Sequence, residues 1–469
     1  MREINLSADE LIKSLLNLEK ERNVCILDSC GVSHHGSHLL IAGLNPVEIL
    51  EINETDANKT LEILDKKLSK NNLAAIFTIS YDFGLKLNKI IPRKKEFTTF
   101  PEPDIFLALF DSLIIHNYNS HKTFLLGNET RFDEIEKLLI TLTKSTVYTK
   151  TPTSKIFSNF SRENYLSTVE KIQEFIRRGD TYQTNLTQQI RAILPDNLTP
   201  EQIFSHLRQN NPVPFASFLR RKNDVVISAS PERFFRVKGQ RSKVKGQIIS
   251  VSPIKGTRPR GKTENEDVQL KNELLNSEKD RAENVMIVDL LRNDIGRICK
   301  FGSVKVEELC DLETHPTLFH LVSTVSGELK ENTKLSDIIR ATFPCGSITG
   351  APKIRTMQII DELETVNRGL SMGTVGFWIG DFGVGMGDSK SSIQTPQSKI
   401  QNQFDLSVAI RTMVIRENEA IFNVGGGIVI DSIPENEYAE TLVKAEALLN
   451  SIGANGLEII SLSNLKAKI

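Results

Sequence analysis

Between positions 162 and 178 the apolar residues Tyr165, Val169, Ile172 and Ile176 recur every three to four positions. That spacing lays one apolar stripe along a helix, and Gly179 is placed to stop it. The same periodicity predicts a helix at the opening, "LSADELIKSLLNLEK", and another around 60–69. Elsewhere the pattern changes to period two or to β-branched runs: "NVCILDS", "LAAIFTIS", "TNLTQQIRAIL", "FASFLR", "DVVISAS", "FFRVKG", "IISVSPI", "TVGFWIGDFG", "FDLSVAIRTMVIR" and "AIFNVGGGIVI". These predict strands. Several follow one another with no helix between them, which argues for antiparallel sheets in an α+β fold rather than a doubly wound parallel sheet. The stretch 263–297 reads as one continuous helix.

Two segments break the pattern. The polar run "TKSTVYTKTPTSK" (143–155) reads as a crossover and divides the chain into regions 1–150 and 155–455. The Ser/Gln/Lys-rich run 385–403 reads as an insertion between two strands.

Composition narrows the partners. Across 469 residues, 58 Lys and Arg balance 59 Asp and Glu, so bulk charge recommends neither nucleic acid nor an anionic membrane. Five scattered cysteines without C-x-x-C spacing point to a reducing compartment. No run of 18 apolar residues and no signal-like leader is present, which makes a soluble cytoplasmic protein the expectation.

Chemistry-bearing positions are few, and each has an ordinary reading beside the functional one. Asp280 and Glu283, and again Glu437 and Glu440, stand three residues apart on predicted helices and share a face. Oxygen ligands in that number suit Mg²⁺; the spacing equally suits a solvated face, with Glu440 and Lys444 as an i,i+4 pair. Gly425, Gly426 and Gly427 could bring backbone N–H groups to an anion or simply bend a strand. Arg411, alternating with Val408 and Ile410, is either an exposed strand arginine or a carboxylate binder. Glu232, after a strand and Pro231, is a turn residue or a general acid whose pKa burial has raised. His320 sits in an apolar run and fits a core histidine. The loop "FPCGSITGAPK" (343–353) enters a helix through Pro352 and can hold an anion. Lys255, in "PIKGTRPRG", is a solvated amine or a working one.

Taken in order, "SPER", "PIKGT", "DRAENVMIVDLLRNDIGR", "HLVSTVSGEL", "FPCGSITGAPKIRTM", "SVAIRT", "GGGIV" and "PENEYAET" resemble the chorismate-utilising enzymes over residues 155–455. Region 1–150 resembles the family's N-terminal region through "ILDSC" and "SYDFG". The resemblance implies large antiparallel sheets packed as a sandwich with helices outside. It implies Mg²⁺ on Glu283 and Glu440, with Asp280 and Glu437 as a second pair flanking the metal. It further implies Arg411 on the enolpyruvyl carboxylate with the three glycines beside it, Thr257 and His320 around the ring, and Glu232 as general acid at the 4-hydroxyl. Ser29 falls in an element that binds tryptophan in related subunits. Gln183 stands where water-activating members carry a lysine base, and an amide cannot do that work. Ser371, in "RGLSMG", replaces a tyrosine common in the family.

Members also differ at the middle of "PI-x-GT". Anthranilate, isochorismate and salicylate enzymes usually carry alanine there, and aminodeoxychorismate synthases carry lysine. Lys255 therefore implies a covalent amine step leading to 4-amino-4-deoxychorismate, the precursor of para-aminobenzoate and folate, with Arg258 and Arg260 disfavouring its ammonium form. None of the five cysteines sits in a G-x-C-x-G setting, so ammonia is expected from a separate glutamine amidotransferase. The alternatives are an anthranilate synthase large subunit and a non-catalytic homologue that binds chorismate or tryptophan.

Overall fold

The computed structural model describes residues 1–19, 22–34, 38–70, 72–97, 99–141, 155–238, 246–314, 318–380, 403–454 and 459–462. The crossover at 143–155, but for its last residue, and the insertion at 385–403, but for its last residue, lie outside them.

Among the described residues, two sheets of thirteen and ten strands face each other. Period-two alternation explains why. Along Ile105–Phe110, the side chains of Ile105, Leu107 and Leu109 join a cluster with helices, while Phe106, Ala108 and Phe110 join a second cluster shared by both sheets. In the opposite sheet Ile41 enters the shared cluster and its neighbours Leu40 and Ala42 face helices. A strand that is apolar on both faces needs cover on both, and each buried Phe or Ile contributes about 1.5–3 kcal/mol.

The covers are the helices. Ala8–Leu16, Phe132–Thr141, Pro200–Asn210 and Pro434–Ser451 pack on the thirteen-stranded sheet. Ala57–Leu68, Glu278–Gly296 and Leu335–Thr342 pack on the other. The expected α+β sandwich with outer helices is thus observed. Its described strand pairs are antiparallel except that Ile459–Ser461 runs parallel to Lys155–Ser158. Strands from before and after residue 150 sit side by side in both sheets, as Val24–Asp28 does with Phe215–Arg220 and Ala74–Ile79 with Thr374–Ile379.

Two elements differ from the pattern-based expectation. The continuous helix breaks into Glu264–Asn276 and Glu278–Gly296, because Ser277 leaves helical geometry and its hydroxyl caps the second helix at the Asp280 N–H, 3.2 Å away. The apolar run 404–416 is two strands, Gln403–Val408 in one sheet and Thr412–Arg416 in the other.

Phe110 is fully buried between the sheets. Phe110→Ala is expected to cost about 3–5 kcal/mol through lost burial and the residual cavity, read as the shift of a chemical-denaturation curve.

Candidate active site

The split of the 404–416 run has a counterpart. Val225–Ser230 belongs to the thirteen-stranded sheet and Arg233–Lys238 to the ten-stranded one, so the chain also changes sheet at Pro231 and Glu232. The two crossings lie side by side. Ser230 Oγ donates to the Val408 carbonyl (2.6 Å), the Val408 N–H to the Glu232 carbonyl (3.0 Å), and the Ala229 N–H to the Arg411 carbonyl (3.0 Å). One crossing presents Glu232 and the other presents Arg411.

Glu232 is 6 % exposed, and its Oε1 has no hydrogen-bond partner among the described residues. Burial raises its pKa, against a hydrogen bond from Ser347 and the positive charges of Lys255 and Lys444. A buried carboxyl biased towards its protonated form is suited to general acid work. Arg411 holds φ at +47°, a left-handed geometry that costs a side-chain-bearing residue roughly 1–2 kcal/mol. It is therefore a corner residue and not the mid-strand arginine that the alternation suggested. Burial lowers the pKa of its guanidinium, and it makes no ion pair with a carboxylate among the described residues. A ligand carboxylate would supply the missing partner.

Lys255 lies on Ile254–Pro259, paired to Leu318–Glu328. Ile254 faces Val322 and Thr257 faces His320, so Lys255 and Gly256 together oppose Leu321 in a bulge. Bulges re-aim side chains. Gly256, at φ +84°, permits the bulge and the close approach of a helix: a Cβ there would lie 3.0 Å from the Asp280 Cβ. Thr257 Oγ1 and His320 Nδ1 are 2.9 Å apart, which joins these two expected pocket residues directly.

The helix so approached carries Asp280 and Glu283. Lys255 contributes to the electrostatics of Glu232, Glu283 and Glu440 alike, which puts it within electrostatic range of all three carboxylates. Burial raises the Glu283 pKa, helped by Asp280 and Glu440 and opposed by Lys255 and Lys279. Glu440 also feels burial, but Lys444, Lys279 and Lys255 outweigh it and lower its pKa. Burial raises Glu437, whose Oε1 accepts a 2.6 Å bond from Ser432. Asp280 is turned to Arg258, 3.3 Å away. Among the described residues no three His, Cys, Asp or Glu side chains close on one point. A cation held by Glu283 and Glu440 would therefore fill its other positions with water and substrate oxygens, a donor set that fits Mg²⁺.

The expected role of Arg258 and Arg260 is not what the geometry supports. Arg258 binds Glu273 (2.7 Å) as well as Asp280, and Arg260 binds Asp267 through two 2.7 Å bonds. Their charge is spent holding the loop to the helix Glu264–Asn276 and to Asp280.

Gly425, Gly426 and Gly427 lie within Glu419–Ile428 and pair with Gln183–Ile193. On the other edge the last partner pair of Thr412–Arg416 is Met413 with Phe422, so the glycines run past that strand's end, beside the Arg411 corner. A Cβ on Gly426 would sit 3.2 Å from Glu437 Oε2 and 3.6 Å from Glu440 Oε1. One on Gly427 would strike Gln183 Nε2. The Gln183 amide is buried with neither polar atom bonded among the described residues. Ser371 Oγ accepts from the Asn423 N–H at 3.3 Å.

Two groups that border the candidate site were not legible as such. Ser347 comes from the Gly/Ser loop, where it acts to lower the pKa of Glu232 against its burial and lies 3.3 Å from Cys345 Sγ. Lys444 looked like a surface partner of Glu440. It does pair with that residue at 2.6 Å, yet it also donates to the Gly425 carbonyl at 2.9 Å.

Ser29 is elsewhere. It lines a cavity of ≈ 60 Å³ between the sheets with Asp28, Phe215, Ser217, Arg236 and Asp405, and the hydroxyls of Ser29 and Ser217 are buried without partners among the described residues. Benzene occupies an apolar cavity of about 150 Å³, so an indole needs these walls to part.

The chain belongs to the chorismate binding enzymes: the family model matches residues 23–385 and 398–450. It is 38% identical to the anthranilate synthase component 1 of Aquifex aeolicus over 373 residues, covering 75% of this chain and 70% of that one. It is 34% identical to the aminodeoxychorismate synthase component 1 of Bacillus subtilis over 391 residues, covering 81% and 76%. Among solved structures it superposes on the anthranilate synthase component I of Streptococcus pneumoniae with a TM-score of 0.72 at 27% identity, covering 89% and 93%. No helix among the described residues is long and apolar enough to cross a membrane.

The raised pKa of Glu232 has a sign that stability reports. Its folded form holds a proton that the unfolded chain releases above about pH 4, so its burial is costless in acid and penalises folding as pH rises through the folded pKa. Glu232→Gln is expected to be more stable than wild type at pH 7, with the gap closing towards pH 4, in denaturation curves taken at both.

Proposed function

We propose that this enzyme converts chorismate and ammonia to 4-amino-4-deoxychorismate through a covalent adduct on Lys255. The supporting observation is the place of Lys255: the bulge turns it into the same electrostatic neighbourhood as Glu232, Glu283 and Glu440. An alanine there would leave those carboxylates around a methyl group.

In the proposed mechanism, Arg411 and the edge of the glycine strand receive the enolpyruvyl carboxylate, and Thr257 and His320 bound the ring. Mg²⁺ held by Glu283 and Glu440, when bound, supplies charge neutralisation and orientation for the ring carboxylate. The Lys255 amine forms a bond to C2. The electron pair of C1–C2 shifts to C1–C6, that of C5–C6 shifts to C4–C5, and the 4-hydroxyl leaves as water with the proton of Glu232. Ammonia then bonds to C4, the double bonds return, and C2 releases the lysine nitrogen. Gln183, an amide, cannot activate water to compete. Ammonia would come from a separate glutamine amidotransferase, and folate synthesis in the cytoplasm is the setting this product implies.

The rival is anthranilate formation, favoured by the 38% identity to an anthranilate synthase component 1. Full-length protein incubated with chorismate, Mg²⁺ and ammonium, with products separated by mass, decides between them. The amino product is expected; anthranilate in its place refutes the proposal. Lys255→Ala should abolish the amino product with chorismate affinity changed less than about threefold, since the lysine contributes to the transition state rather than to ground-state binding. Glu283→Gln is expected to weaken the Mg²⁺ dependence of turnover by at least tenfold, the scale of losing one of two protein ligands, read by titrating Mg²⁺ at fixed chorismate.

A further inference from the structure

His34 plays no part in the chemistry above, yet it is 2 % exposed and touches residues of both sheets. Its ring packs edge-on against Phe215, 5.6 Å between centroids. Its Nδ1 lies 3.0 Å from Glu313 Oε2. Glu313 is the ladder partner of His320, and His320 is the ladder partner of Thr257. Directly opposed residues in antiparallel strands stand on one face of the sheet, so Thr257, His320 and Glu313 form a row that ends on His34.

The backbone of His34 leads the other way. Its carbonyl accepts from Arg233 Nη2 at 3.4 Å. Arg233 directly follows Glu232, and it is held by two bonds to Asp405, 2.9 and 3.2 Å, and by the Phe215 ring beneath its guanidinium. His34 is thus fixed on the strand Arg233–Lys238, whose first residue follows Glu232, and reaches, through its ring, the strand Lys305–Thr314, which pairs with the one that carries His320.

We infer that His34, acting through Glu313, is a positioning residue that sets the spacing between Glu232 and the Thr257–His320 pair. This rests on the proposed function, in which those three residues surround the ring of chorismate. The groups proposed to hold the substrate carboxylates, Arg411, Glu283 and Glu440, lie outside this brace. Loosening it therefore leaves substrate affinity in place and spoils the alignment of the proton donor with the ring. A misplacement of about 1 Å is worth up to about a hundredfold in rate, and it falls on kcat rather than KM.

The test follows chorismate consumption by full-length protein with Mg²⁺ and ammonium, a readout indifferent to which product forms. His34→Ala is expected to lower kcat roughly tenfold to a hundredfold with KM within about twofold. His34→Asn, whose amide nitrogen can stand where Nδ1 stood, is expected to recover most of that loss. Glu313→Ala should match His34→Ala, and the double variant should be no slower than either, because both remove one interaction. Thermal midpoints measured on every variant separate alignment from folding. Should His34→Ala not fold, Glu313→Ala against Glu313→Gln gives the same comparison. Normal kcat in His34→Ala, no recovery in His34→Asn at an equal midpoint, or multiplying losses in the double variant overturns the inference alone. Wild-type protein that leaves chorismate untouched overturns it together with the functional reading.

Discussion

Everything at the site depends on one ribbon of two strands that leaves one sheet and enters the other. Ser230, Val408, Glu232 and Arg411 are bonded across the fold of that ribbon, so neither crossing can move without the other. A sandwich corner of this kind opens the ladder at its bend. The proposed proton donor and the proposed carboxylate binder both emerge there. Arg411 accepts a strained backbone at this point, and strain of that size persists only where surrounding bonds over-determine it.

Around that corner the charges are arranged so that each acid has a different environment. Glu232 is enclosed by protein and keeps one oxygen unbonded. Glu440, half-exposed at 50 % of its side chain, is held ionised by Lys444 and its neighbours. Carboxyl groups whose surroundings push their pKa values in opposite directions mark separate acid and anion roles. A site that buries Glu232 in this way gives up stability at neutral pH for a carboxyl that holds its proton more tightly than a solvated one, the trade that active sites commonly make.

Much of this was visible in the residue pattern, and the rest was hidden for physical reasons. Period-two runs located most of the strands, because burial on two faces is written in every second residue. The corner at Glu232 carried a signal, Pro231. The corner at Arg411 carried none, since "SVAIRTM" keeps an unbroken apolar rhythm through a bend that is imposed by hydrogen bonds to Ala229 and Glu232. Ser277 could be read as a cap only by weighing one serine against thirty residues of helical pattern. The contact of Ser347 with Glu232 and that of Lys444 with Gly425 were not visible because those partners are distant in sequence. Ion pairs such as Arg260 with Asp267, seven residues apart, reversed the meaning of a basic loop.

That reversal sharpens the chemistry of "PIKGTRPRG". Three cations in six residues suggested a field acting on an amine. In the fold, the two arginines meet carboxylates at 2.7 Å and serve to pin the strand, while the bulge at Lys255 and Gly256 takes the lysine out of the regular ladder, within electrostatic range of Glu232, Glu283 and Glu440. The charged groups that Lys255 is seen to act on are carboxylates. Two of those carboxylates are the proposed metal ligands and the third is the proposed proton donor. A bound divalent cation on the first two and a proton on the third would each withdraw negative charge from the lysine's surroundings. Under the proposed function, metal and proton donor would therefore act on the same neighbourhood that holds Lys255, and the arginines that looked responsible are structural.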